Sequence, residues 1–358
     1  MNLPTLKIGD LEARLPVIQG GMGIGVSMSR LAAAVANAGG VGVISGAQPG
    51  FKEPDFWTNP LEANLRGIRN EIRKARELSP HGIIGINFLT ATREYTDFVK
   101  EAVKEGIDLV ISGAGLPKNL PEFVQGTKTK FAPIVSSGKA AETLLKLWDR
   151  RYQVVPDAII VEGPLAGGHL GFSREELEGT AKDLYTLVDE VLAAVKSFAD
   201  RYQKPIPVIA AGGIFSGADI KKALDIGAAG VQISTRFVAT EECDADDAFK
   251  QMYLDATEED VVIIQSPVGL PGRAIRNDMT RSLEAGRIPV TACTRCLSHC
   301  DPGTTPFCIT KKLIEAVTGE VDKGLVFAGH NAFMLDKIST VQTVMDELVS
   351  EYEEACQV

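Results

Sequence analysis

The sequence predicts an α/β fold: a (β/α)8 barrel with a C-terminal lid or insertion segment. Two observations carry this reading. Eight short apolar runs rich in valine and isoleucine recur between residue 15 and about residue 240, and helix-period segments separate them. Eight βα units in succession fit a closed barrel, and an open doubly wound sheet of eight strands is the alternative.

In chain order the strand candidates are LPVIQ (15–19), GVGVIS (40–45), GIIGINF (82–88), DLVIS (108–112), FAPIVS (131–136), DAIIVEG (157–163), IPVIAAGG (206–213) and AGVQISTRF (229–237). They show little polar alternation, as strands covered on both faces do. Between them, 29–39, 94–106, 139–151 and 217–228 carry apolar residues at helical spacing, and Gly39, Gly106 and Gly227 stand where left-handed caps belong. A longer helix is expected over 175–199, opened by a capping box of Ser173 and Glu176. The run at 66–76 (RGIRNEIRKAR) reads as the solvated face of another.

Beyond about residue 240 the alternation breaks. An acidic helix (244–256), the stretch 261–277, a cysteine-rich segment and helices near 309–318 and 339–355 follow. Such pieces are too short for a second core. The expected organisation is a barrel core over 1–240, an insertion or lid over 241–330, and a C-terminal helix over 331–358 that packs back on the barrel.

Composition narrows the function. The 358 residues are 45% hydrophobic and 23% charged, which excludes a disordered or fibrous chain. With 37 basic against 47 acidic residues, the net charge of −10 repels phosphate backbones, so no nucleic-acid partner is expected. No run of about 18 apolar residues suggests a membrane span. The N-terminus lacks a basic region followed by an apolar core, and six cysteines suit a reducing compartment, so a cytoplasmic location is expected.

Barrel enzymes assemble their sites at the C-terminal ends of the strands. Here those ends are glycine-rich: QGGMG at 19–23, EGPLAGGH at 162–169, AAGGI at 210–214 and QISTR at 232–236. Glycine lets backbone amides approach an anion, so Gly212, Gly213, Ser234 and Thr235 read as a phosphate site, in the loops where such barrels usually hold one. His169, directly after Gly167-Gly168, is the candidate proton carrier. His81, His299 and His330 lack comparable context. No GxSxG, HExxH or P-loop pattern occurs. A phosphate-ligand isomerase without flavin would also suit these loops.

Taken together, GGMG, INF (86–88), SGAG (112–115), EGPLAGGHLG (162–171), PVIAAGGI (207–214) and VQISTRF (231–237) resemble the nitronate monooxygenase (2-nitropropane dioxygenase) family, to which FMN-dependent enoyl-acyl-carrier-protein reductases are close. The resemblance covers about residues 10–280. It implies FMN at the strand C-termini, with Gly21, Met22 and Gly23 along the flavin and Asn87 bonded to it. Gly167 and Gly168 would line the ring, and Gly212, Gly213, Gln232, Ser234 and Thr235 would hold the ribityl phosphate. Glu162 falls where the family often has glutamine against the ring. His169 would be the catalytic base or acid. The substrate implied is an alkyl nitronate oxidised with O2; the alternative is an enoyl thioester reduced by NAD(P)H through the flavin, with His169 supplying a proton.

One segment departs from the simpler members. Cys293-x2-Cys296-x3-Cys300-x7-Cys308 has a spacing compatible with an iron–sulfur cluster, a [4Fe–4S] centre, with structural zinc or four plain reduced thiols as the other readings. Arg273 and Arg276, in GLPGRAIRN, read as solvated or salt-bridged side chains.

Overall fold

The computed structural model describes residues 3–357; residues 1, 2 and 358, at the outer ends of the first and last expected segments, lie outside the described residues. The strands Val17–Gln19, Val41–Ser45, Ile83–Leu89, Leu109–Gly113, Lys130–Val135, Ile159–Glu162, Val208–Ala211 and Gly230–Ile233 form one closed barrel. Each pairs in parallel with the next, and the last closes on the first with Val231 opposite Val17. The fold is therefore the (β/α)8 barrel, not the open sheet.

Both strand faces are buried, which explains the unbroken apolar runs. Ile18, Val43, Ile111, Ile160 and Ile209 point into the barrel, whereas their neighbours Val17, Ile44, Val110, Ile159 and Val208 pack against the helices. A two-stranded hairpin, Leu6–Ile8 with Leu11–Ala13, was not legible as strands. It turns at Gly9 (φ +61°) and sends Leu6, Ile8 and Ala13 into the inner cluster, plugging the barrel at the strands' N-terminal ends.

The helices Ser29–Asn37, Tyr95–Lys104 and Gly217–Asp225 stop before Gly39, Gly106 and Gly227, whose φ values of +96°, +76° and +99° are left-handed. The segment after residue 173 differs from expectation. Ser173 and Glu176 do bond each other's backbone N–H groups reciprocally, yet they open only one wide turn over Glu176–Thr180. Gly179 (φ +139°) breaks it, and the helix proper runs Leu184–Tyr202, capped by Asp183, which accepts from the amides of Tyr185 and Thr186. The arginine run lies on the helix Pro60–Leu78 and is paired across to the next unit: Arg69 with Glu101 at 2.8 Å, Arg73 with Glu105 at 2.7 Å and Arg76 with Asp108 at 2.6 Å.

After the barrel, Val261–Gln265 and Pro271–Ile275 form an antiparallel hairpin, and Gly168–His169 adds to it as a third strand. The glycine-rich loop of the sixth barrel strand is thereby stitched to the hairpin, with His169 opposite Gly272 and Gly168 opposite Arg273. The cysteine segment leads into the helix Ile309–Val317 and shares an apolar cluster with Ile264, Phe307 and Leu325. The helix Val341–Ala355 lays Val344, Met345 and Leu348 on the main core, and Glu351 there receives the Gly217 N–H at 2.7 Å and an Arg236 guanidinium N–H at 3.0 Å.

Candidate active site

The strand ends and the later segments enclose one cavity, and every residue that the sequence marked for cofactor binding lines it. Gly21, Met22, Gly23 and Asn87 come from the first and third strands, and Glu162, Gly167 and Gly168 from the sixth. Gly212, Gly213, Gln232, Ser234 and Thr235 come from the last two, and His169 stands on the same wall.

The last two strand ends form a cradle that side chains would fill. Gly212 and Gly213 have φ of +88° and +92°, a conformation that keeps other residues out and leaves the backbone bare. Gly167 is held by contact: a Cβ there would meet the Ala328 carbonyl carbon and the Gly329 nitrogen at 2.6 Å. Gln232 is 8% exposed, and its Oε1 is buried without a hydrogen-bond partner. A buried acceptor left open costs about 1–3 kcal/mol, so a donor belonging to a ligand is the natural partner. Two contributors were not legible in the sequence. Gly329 and Asn331 come from more than 90 residues further along the chain, and the Asn331 amide donates to the Gly213 carbonyl at 3.0 Å.

His169 is fixed by three contacts. Its backbone is in the three-stranded sheet, its ring meets Phe327 edge-on at 5.0 Å between centroids, and its Nε2 lies 2.8 Å from the Ser266 hydroxyl. Ser266 sits in the turn between the two hairpin strands and is 2% exposed. Sequence reading missed it, because a serine beside a proline in QSPVG looks like any turn residue. Burial lowers the His169 imidazole to about 4, so the ring is neutral with a free lone pair, at the cost of basicity. Burial acts oppositely on Glu162, whose carboxyl borders the cavity and is raised to about 8. A group so placed is uncharged at neutral pH, and no anion stands against the cavity at that point.

Arg273 corrects its expected place. It is 7% exposed rather than solvated, and its guanidinium donates to the carbonyls of Pro164, at 2.9 Å, and Ala166. It therefore clamps the loop that ends in Gly167 and His169. Burial without a carboxylate lowers it to about 10, so it remains a cation. Arg276 behaves as expected, 3.7 Å from Glu284 at the surface.

Part of the lining is apolar. Val268, Leu297, Ile309, Leu313 and Leu325 form it, and Cys296 is among them. Cys296 and Cys300 pack on the same apolar cluster, and Cys293 and Cys308 flank them in the chain. Among the described residues no group of three or more His, Cys, Asp or Glu is arranged to hold a metal ion as it stands. No helix among them is long and apolar enough to cross a membrane.

A closed parallel barrel whose strand ends frame a glycine cradle and one half-buried histidine defines the fold class, a (β/α)8 barrel with its site at the strand ends, and the family that it matches is one of oxidoreductases. The chain belongs to the nitronate monooxygenase family, whose model matches residues 5–351. Among its relatives, a Mycobacterium tuberculosis (3aS,4S,5R,7aS)-5-hydroxy-7a-methyl-1-oxo-octahydro-1H-indene-4-carboxyl-CoA dehydrogenase is 33% identical over 80% of this chain and 69% of its own length. A probable nitronate monooxygenase of Bacillus subtilis is 27% identical over 73% of this chain and 76% of its own. The solved structure of FabK from Thermotoga maritima superposes with a TM-score of 0.73 at 26% identity, covering 96% of this chain and 94% of that one. Membership in this family sets aside the phosphate-ligand isomerase reading.

Proposed function

We propose that the protein is an FMN-dependent oxidoreductase acting on alkyl nitronates with O2, and that His169 handles the proton. The observation that carries the reading is a neutral His169 held on the wall of a cavity whose far end is a bare glycine cradle. The residues present fit FMN. Gly212, Gly213, Ser234 and Thr235 would take its phosphate through backbone N–H and hydroxyl donors, and Gln232 would give its open Oε1 to a ribityl hydroxyl. Gly21, Met22, Gly23, Gly167 and Gly168 would lie along the ring, and Asn87 and Glu162 would bond its edge.

Bound there, FMN supplies a ring that accepts electrons from substrate and passes them to O2. The chain does the rest. With a neutral nitroalkane His169 would accept the proton from the carbon next to the nitro group and so form the nitronate in the cavity, a step that a substrate supplied as nitronate has already passed, and Ser266 would hold the imidazole in one orientation towards that carbon. The apolar wall receives the alkyl part and keeps water from the reacting face.

A second reading is favoured by that wall. Val268, Leu297, Ile309, Leu313 and Leu325 offer more apolar surface than a small nitronate needs, and a relative acts, by its name, on a bicyclic carboxyl-CoA. An acyl thioester is the substrate under this reading, either dehydrogenated, with His169 as base, or reduced as an enoyl thioester with NAD(P)H as electron source.

The test is the spectrum of the purified protein followed by O2 uptake with propyl-2-nitronate. Bound flavin with nitronate-dependent O2 uptake supports the first reading. Flavin with turnover of acyl or enoyl thioesters alone moves the substrate to the second, and no flavin after reconstitution with FMN overturns both.

A further inference from the structure

Four thiols remain that the proposed chemistry does not use. We infer that Cys293, Cys296, Cys300 and Cys308 ligate a [4Fe–4S] cluster at the edge of the cavity. The first pair forms a knuckle: Arg295 takes a left-handed φ of +55°, which turns its backbone N–H onto the Cys293 sulfur at 3.3 Å. Cys308 stands as the N-cap of the nine-residue helix Ile309–Val317. Cys296 and Cys300 lie between, packed on the apolar cluster of Leu297, Phe307 and Ile309, a dry shell of the kind that surrounds such centres.

A separate observation points to an absent acceptor. Thr294, inside the knuckle, is 7% exposed and its hydroxyl is buried with no partner. A sulfide or thiolate sulfur is an acceptor that this hydroxyl lacks.

The spacing favours a cluster over a single ion. One tetrahedral zinc, with sulfurs at about 2.3 Å, would draw the four to within about 4 Å of each other. The Cys-x2-Cys-x3-Cys-x7-Cys spacing is compatible with four ligands to one cluster. A cubane of iron and sulfide is wider and is held by four cysteines, one to each iron. On ligation each thiol gives up its proton and its sulfur bonds one iron of an already assembled cluster, which keeps its oxidation state. Because Cys296 also lines the cavity, the cluster would share a wall with the ligand bound there.

The experiment is iron, zinc and acid-labile sulfide analysis of the full chain purified without oxygen, before and after reconstitution with ferrous iron and sulfide. Flavin is extracted and counted separately, so failure here leaves the flavin reading standing. About four irons and four sulfides per chain are expected, with an EPR signal after dithionite reduction. Cys300→Ser and Cys308→Ser should each lose most of the iron, whereas Cys356→Ser, on the C-terminal helix, should keep it. One zinc per chain overturns the inference. So does wild-type protein that takes up neither metal while all four thiols react with a thiol reagent under native conditions.

Discussion

Ser266 Oγ lies 2.8 Å from Nε2 of His169, across 97 residues of chain, and it is the only side-chain hydrogen bond that the imidazole makes among the described residues. This contact sets one ring nitrogen as partner of the hydroxyl and leaves the other for substrate. Replacing Ser266 by alanine should lower kcat about fivefold, the equivalent of one neutral hydrogen bond of about 1 kcal/mol, while flavin content stays unchanged. Steady-state turnover together with the flavin spectrum checks this. Lost flavin would mean that the serine supports the cavity rather than the ring.

The pH profile follows from the burial of His169. Its folded value of about 4 is depressed from the usual 6.5, so the ring stays unprotonated down to that region. The acid limb of kcat/KM should therefore fall near pH 4–5 rather than near 6.5, and stability should decline as pH drops from about 6.5 towards 4, where the unfolded chain binds a proton that the folded one refuses. With a neutral nitroalkane as substrate, His169→Ala should abolish the limb and slow turnover by about 10²–10⁴-fold with flavin retained.

Glu162 gives the opposite sign. Its folded value of about 8 exceeds the usual 4.5, so between those limits the folded protein holds a proton that the unfolded chain has released. Stability should fall as pH rises through this window and level off above it. Glu162→Gln keeps the shape without the charge and should flatten that slope, leaving the variant more stable than the parent at pH 8. Urea midpoints across pH 5–9 measure it, and parallel slopes in the two proteins would refute it.

Arg273→Met should destabilise the fold by about 2 kcal/mol, because the carbonyls of Pro164 and Ala166 lose a charged donor in a buried place. Methionine keeps most of the volume, so the loss reads as hydrogen bonding and not as a cavity. The same change should weaken FMN binding, since the freed loop carries Gly167 and Gly168. Denaturant unfolding and fluorescence titration with FMN report the two effects separately.

The barrel was legible because burial on both faces writes itself as plain apolar runs, and the glycine cradle because only glycine tolerates the backbone at 212 and 213. What stayed hidden depends on distance along the chain. Ser266, Phe327, Gly329 and Asn331 are ordinary loop residues until the fold carries them to His169 and Gly213. Arg273 looked solvated because its partners are backbone carbonyls, which leave no trace in a charge pattern. The helix expected at 175 failed for a local reason: a correct capping box was followed by Gly179, which a spacing argument passes over.

The hairpin Leu6–Ala13 closes the N-terminal end of the barrel, and the hairpin beside His169 forms part of the frame of the cavity at the other end. Because His169 is a strand of that frame and not of the floor, whatever swings residues 261–275 outward also takes Ser266 away from the imidazole and loosens its backbone. In the proposed reaction the proton carrier is therefore held, backbone and ring alike, by the same hairpin that borders the cavity.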